Sequence, residues 1–350
     1  MGFFDPSSHV PDRVRRSWAW FVRRPWHHRV AIVLGILIVL AVIVGATFRI
    51  VPSGGDELDI GGSRSEPPDD VRAELAQRFA PILKLDSKEL FVPIDLASYV
   101  STTNLDERVG KKLFVLQDSP TPATLPEVES PCVRAQGCTY VLDVRGAEPP
   151  RAAAAYGKID DELLKHGARL TVYAHVLRYD ASGDYGIQYW FLYLYNYRLN
   201  EHESDWEQIT VGLDKDQTPK KVFYSSHATG FTRDWNDIEH DNDHPVVYVA
   251  LGSHANYFHA GEHVVTLACN TFHFHICISN TTIHDISDGR GLQLQPANYQ
   301  LRQLTTPLYI GSYGTGNYIH GIRQNEILND PRWRPAWNNP LGRLEKGKPL

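Results

Sequence analysis

His202-Glu203-Ser204-Asp205-Trp206-Glu207-Gln208-Ile209-Thr210-Val211-Gly212-Leu213 decides the fold of this chain. From Asp205 onward polar and apolar residues alternate with period two, the pattern of a half-buried strand. Side chains two apart share a face, so Asp205 and Glu207 point one way and Trp206 the other. His202, in the turn that leads in, can fold back over the carboxylate face. Two carboxylates and an imidazole at a strand mouth make a candidate seat for a divalent cation. Oxygen-rich donors favour calcium, magnesium or manganese over zinc. The same spacing also describes a solvated acidic strand start beside a surface histidine.

Outward from this stretch the rhythm persists. Residues 169–179, 186–197, 220–226, 245–251, 263–268 and 272–278 read as strands, with turns at Ser182-Gly183-Asp184, Asp214-Lys215-Asp216 and Ala260-Gly261-Glu262. Hairpin-spaced strands without intervening helices predict a mainly β fold, an antiparallel β-sandwich. Its few short peripheral helices fall at residues 71–80, closed by Pro81, and 158–166. Residues 82–85, 113–116 and 139–144 read as extended, whereas residues 119–131 hold four prolines and read as irregular. Gly311, Gly314 and Gly316 follow no phosphate-loop pattern and read as a tight turn.

The N-terminus sets the expected location. Residues 30–48 are nineteen residues without a charge, enough at the helical rise to cross about 30 Å of hydrocarbon. Arg13, Arg15, Arg16, Arg23, Arg24 and Arg29 precede them, which predicts a cytoplasmic basic segment at 1–29 and a single-pass helix with the rest outside. A signal peptide cleaved near Gly45-Ala46 is the rival reading. Residues 49–70 read as a flexible tether, 71–337 as one extracytoplasmic domain and 338–350 as a polar tail. The chain carries −6 overall, and the six arginines against two aspartates before residue 30 leave about −10 for the remainder. That balance argues against nucleic acid, and against anionic lipid as a bulk-electrostatic partner.

Cys132, Cys138, Cys269 and Cys277 all fall on the expected outer side. Their spacing suits two local disulfides, 132–138 and 269–277, although three connectivities exist and the pairs could instead hold a metal.

Several blocks resemble the vacuolar protein sorting-associated protein sixty-two family. They are Leu75-Ala76-Gln77-Arg78-Phe79-Ala80-Pro81-Ile82-Leu83-Lys84-Leu85 with Glu89-Leu90-Phe91-Val92-Pro93, then Gln188-Tyr189-Trp190-Phe191-Leu192-Tyr193-Leu194-Tyr195-Asn196, Asp205-Trp206-Glu207, and residues 244–258. A looser likeness reaches the necrosis- and ethylene-inducing peptide-like cytolysins, whose hallmark is Gly-His-Arg-His-Asp-Trp-Glu. Here Glu201, Glu203 and Ser204 depart from that hallmark, while His202, Asp205, Trp206 and Glu207 match it. The likeness implies metal-ligand roles for His202, Asp205 and Glu207, with Asn196 standing where the cytolysins use an upstream acid. It also points to His227 and His254, in Ser-x-His and Gly-Ser-His elements, as an acid–base pair, metal-supporting residues or substrate contacts.

Between those two histidines, residues 231–244 read as a solvated acidic loop. His273 and His275 alternate on one strand face, and Asn280-Thr281-Thr282 is a glycosylation sequon. Two functions follow as expectations. The first is an anchored extracytoplasmic module with a calcium or magnesium site, recognising an envelope glycan, a glycolipid or a surface partner, with Trp206, Trp235 and Tyr257 stacking on sugars at the rim. The second is a metal-assisted hydrolase using His227 or His254. A cytolysin fits less well, because the chain is tethered and the hallmark altered.

Overall fold

The computed structural model describes residues 63–109, 112–125, 138–198, 201–227, 229–267, 272–273, 276–277, 281–306, 308–309, 311–316 and 329–346. The expected membrane segment at 30–48, Cys132, Cys269, His275 and Asn280 lie outside them, as do the side chains of Cys138, His273 and Cys277. Among the described residues no helix is long and apolar enough to cross a membrane.

In chain order the elements are β1 (Arg64–Ser65), α1 (Asp69–Arg78), β2 (Ile82–Leu85), α2 (Leu96–Ser101), β3 (Thr103–Val109), β4 (Lys112–Asp118), β5 (Cys138–Val144), α3 (Ala153–Lys165), β6 (Thr171–Tyr179), β7 (Tyr185–Asn196), β8 (His202–Leu213), β9 (Pro219–Ser226), β10 (Thr229–Asp234), β11 (His240–Asp241) and β12 (His244–Val249). There follow β13 (Asn256–Tyr257), β14 (Gly261–Leu267), β15 (Phe272–His273), β16 (Ile276–Cys277), β17 (Thr281–Ser287), β18 (Gln293–Leu294), β19 (Gln300–Arg302), α4 (Pro335–Asn338) and α5 (Pro340–Lys346).

The fold is mainly β, as the alternation predicts. The principal sheet runs β1-β6-β7-β8-β9-β10 as antiparallel neighbours. Two features depart from a purely antiparallel arrangement. β19 joins β6 in parallel, and β12 pairs in parallel with β2, 164 residues earlier at Val246↔Ile82. Such a pair needs a long crossover rather than a hairpin, so local spacing gives no sign of it.

β8 is not half-buried. All twelve of its positions are buried: α5 packs on its Gly212 end, while Tyr313, Gly314 and Gly316 pack on Trp206, Glu203 and His202 at the other. The segment 338–350, expected as a polar tail, contains this helix. Its Leu344 side chain sits so close to Gly212 that an added Cβ there would lie 2.3 Å from Cδ1. The core draws on both main sheets, with Ile209, Val211 and Tyr224 from one and Leu83, Val247 and Val249 from the other. Each fully buried aliphatic or aromatic side chain stabilises such a core by about 1.5–3 kcal/mol.

Candidate functional site

The polar end of β8 lies against the end of β7, through Asn196↔His202, Tyr195↔Glu203 and Tyr193↔Asp205. At Ser204 the backbone turns left-handed, with φ 51°. This interrupts the alternation, and His202 and Asp205, an odd number of residues apart, come to act on each other electrostatically. The glycine-rich stretch near 311–316 is more than a turn. Gly314 and Gly316 lie where an added Cβ would come within 2.5 Å of the Cβ atoms of Glu203 and His202, so only glycine lets the chains meet. Glu203 rewards that approach. Its carboxylate accepts from Thr315 N (2.8 Å), Thr315 Oγ1 (3.1 Å), Tyr156 Oη (2.6 Å) and Val144 N (3.2 Å).

Above Asp205 sits the loop after β12, closed by His254 N donating to Ala250 O at 3.1 Å. Within it Gly252 (φ 70°) presses on the Tyr197 ring, and His254 is itself left-handed, φ 53°. The His254 ring stacks on Tyr193 with centroids 3.9 Å apart. Its Nδ1 donates to Asp205 Oδ2 at 2.9 Å, while Nε2 lies 3.5 Å from Glu89 Oε1. Asn196 Nδ2 donates to the same Asp205 oxygen, and Glu89 Oε2 accepts from Gly252 N. Ser225 Oγ donates to Glu207.

Burial alone would strip His254 of its proton. The Glu89 and Asp205 carboxylates outweigh it and raise the imidazole to about 9. Burial also opposes the charges on Asp205 and Glu89, yet contact with His254 holds both below the usual carboxylate range. Glu207 goes the other way, pushed well above that range by burial and then by the Asp205 charge. Burial holds His202 low; its Nδ1 donates to Ser204 O at 2.6 Å, and its buried Nε2 has no partner among the described residues.

A second network adjoins the first. The buried carboxylate of Asp285, on β17, accepts from His227 Nε2 (2.6 Å), Ser253 Oγ (2.9 Å) and Tyr257 Oη (2.7 Å). Ser226 Oγ lies 3.0 Å from Tyr257 Oη, and the Tyr257 ring stacks on His263 at 3.7 Å. Burial opposes the Asp285 charge, but these donors, His227 foremost, keep its pKa low. His227 is again left-handed, φ 56°, and its side chain is 10% exposed. Non-glycine residues with positive φ are uncommon and gather at functional positions; here Ser204, His227 and His254 all fall in these networks.

The structure thus brings Asn196, His202, Asp205 and Glu207 into one buried cluster with His254. It does not bring His227 and His254 together as a pair, since each ring is tied to a different carboxylate. Trp206, Trp235 and Tyr257, expected as rim aromatics, are 2%, 6% and 1% exposed. They are core residues: Trp206 packs on Tyr173 and Tyr313, and Trp235 on Phe79. Residues 231–244, read as a solvated loop, contain part of β10, β11 and the start of β12.

Sequence reasoning missed Glu89, Glu203 and Asp285. Glu89 had a signal, in its place within the family-like Glu89-Leu90-Phe91-Val92-Pro93 block. Asp285 had none, because β17 lies beyond the strands that alternation marks.

In the arrangement observed, the Asp205 carboxylate is engaged by other side chains. Asn196 turns its amide nitrogen, not its oxygen, to Asp205, and His254 occupies the same carboxylate. Among the described residues no three His, Cys, Asp or Glu side chains are placed to hold a metal. A separate surface groove of about 450 Å³, lined by Arg145, Lys158, Glu162 and His166 among others, contains no member of either network.

Residues 153–311 match the family model described as vacuolar protein sorting-associated protein 62. The match omits the 75–93 blocks and runs on to residue 311, beyond the last resembling block at 244–258. Similar solved structures include NLPPya in complex with mannosamine, at 14% identity and TM-score 0.38 over 81% of this chain and 95% of that one. NLPPya in complex with glucosamine shows 15% identity and TM-score 0.33 over 71% and 80%. The structure "Toxin fold for microbial attack and plant defense" shows 16% identity and TM-score 0.34 over 70% and 79%. These likenesses are distant. No curated protein matches the chain.

Proposed function

We propose that this chain, whose residues 153–311 match the model of the vacuolar protein sorting-associated protein 62 family, is a membrane-anchored extracytoplasmic recognition protein for a hydroxyl-rich envelope ligand, a glycan or the sugar of a glycolipid. The anchor is residues 30–48, supported by their length, lack of charge and arginine-rich approach. The observation that carries recognition is the Asp285 network. One buried carboxylate fixes an imidazole, a serine and a tyrosine, and the His227 side chain, 10% exposed, is the member of the set that reaches solvent. A fixed imidazole backed by a carboxylate, with hydroxyls beside it, matches ligands whose groups both donate and accept.

Binding is favoured over hydrolysis by access. His254 is wholly buried, so a substrate cannot reach both histidines at once. The test is binding of the full-length chain to a panel of immobilised glycans and glycolipids, wild type against His227→Ala. Selective binding weakened at least tenfold in the variant supports the reading; equal binding by both, or none by either, removes it. Turnover of a bound glycan would favour the hydrolase instead.

The calcium or magnesium expected from the sequence stands as a second proposal, with zinc less favoured. One observation supports it. With Nδ1 donating to a backbone carbonyl, His202 presents an unpartnered Nε2, the tautomer in which imidazole binds metal. Elemental analysis of wild type against Asp205→Ala decides it, and equal metal content in both removes it.

A further inference from the structure

In the small sheet ordered β4-β3-β5, β4 is an edge strand among the described residues. Leu113, Phe114, Val115 and Leu116 follow one another along it and are 38%, 49%, 57% and 51% exposed. Opposite β3, Leu113 pairs with Arg108, Phe114 with Glu107 and Val115 with Asp106, so Leu113 and Val115 take one face and Phe114 the other. Leu116 sits at the register shift, and Val109, paired with Lys112, is also half-exposed. Other exposed large apolar residues, such as Leu90 and Trp333, are not gathered in one run, and single ones are ordinary. A run of this kind on a sheet edge needs an occupant.

We infer that this hairpin docks on the lipid surface of the bilayer that holds the anchor, its apolar side chains entering the boundary between headgroups and acyl chains. This rests on the anchored reading above. Three observations select lipid. A second protein strand would cover the edge of β4 and neither face, whereas both faces are apolar and open. Arg108 and Lys112 flank the apolar run and meet phosphate groups; Glu107 and Asp118 lie on the same hairpin, so apolar area rather than net charge supplies the attraction. Finally, residues 49–62 separate the anchor from the first described residue, and fourteen residues reach at most about 50 Å. That chain length limits how far Ser63 can lie from the end of the proposed anchor. The outward backbone groups of β4 limit the depth to the headgroup region, since unpaired N–H and C=O groups do not enter hydrocarbon.

The test uses the full-length chain in phosphatidylcholine proteoliposomes, with photoreactive p-benzoylphenylalanine replacing Phe114 in one sample and Asp216, in an exposed turn, in another. Docking predicts a lipid adduct at position 114 at least tenfold above that at 216. A cross-link to a second copy, one to another segment of the same chain, or no excess over 216 overturns it. Alkaline carbonate extraction separates the two ideas. A chain released by carbonate removes the anchor, and its adduct at 114 on added vesicles still upholds docking. A chain retained without the adduct removes docking alone.

Discussion

His254 Nδ1 stands 2.9 Å from Asp205 Oδ2 while the same ring stacks on Tyr193, with no part of the histidine reaching solvent. A buried imidazolium between Asp205 and Glu89 is the positive charge this part of the core requires. Removing one member of a buried pair leaves the other uncompensated, at a cost of about 3–5 kcal/mol. His254→Ala should destabilise the protein by that order in urea unfolding. Adding Asp205→Asn to it should restore part of the loss, a coupling that a double-mutant cycle reads directly.

The same pair sets a pH dependence. The folded pKa of His254, about 9, lies above its ordinary value of 6.5. Its contribution is therefore complete below pH 6.5 and is lost as pH rises through 9, a loss on the order of 3 kcal/mol. Asp205 and Glu89, held low, act oppositely: their contribution is complete above their ordinary values and is lost as pH falls through the folded ones. Melting temperatures at pH 6, 7.5 and 9 should fall for wild type and stay flatter for His254→Gln.

Gly314→Ala and Gly316→Ala should each destabilise the fold by about 1–3 kcal/mol, because the new methyl meets β8 at 2.5 Å. Gly157→Ala has open space and serves as the control. Equal denaturation midpoints for all three would remove the close-approach account.

Asp285→Asn should keep the fold yet weaken glycan binding as His227→Ala does, because an amide cannot accept from all three donors at once. Circular dichroism and the binding panel, read together, separate this outcome from simple unfolding.

Much of the fold was legible because strand alternation is local. β6 to β9 fall within about three residues of the sequence expectation at each end, since aromatic and β-branched runs between turn residues leave few alternatives. The parallel β2–β12 pair was not legible, because nothing in either segment names a partner so distant in sequence. At the site, Asp205 and Glu207 were found from spacing, and His202 comes to act on Asp205 through the left-handed backbone at Ser204. Glu89 and Asp285 arrive from other elements entirely. The rim tryptophans were misplaced for a related reason: alternation says which side Trp206 takes, but not that Tyr173 and Tyr313 pack against it there.

Ser253 and His254 are joined by a single peptide bond, yet one answers to Asp285 and the other to Asp205. The two buried networks therefore share one stretch of backbone, so a substitution that displaces Asp285 is expected to be felt at the His254 ring as well.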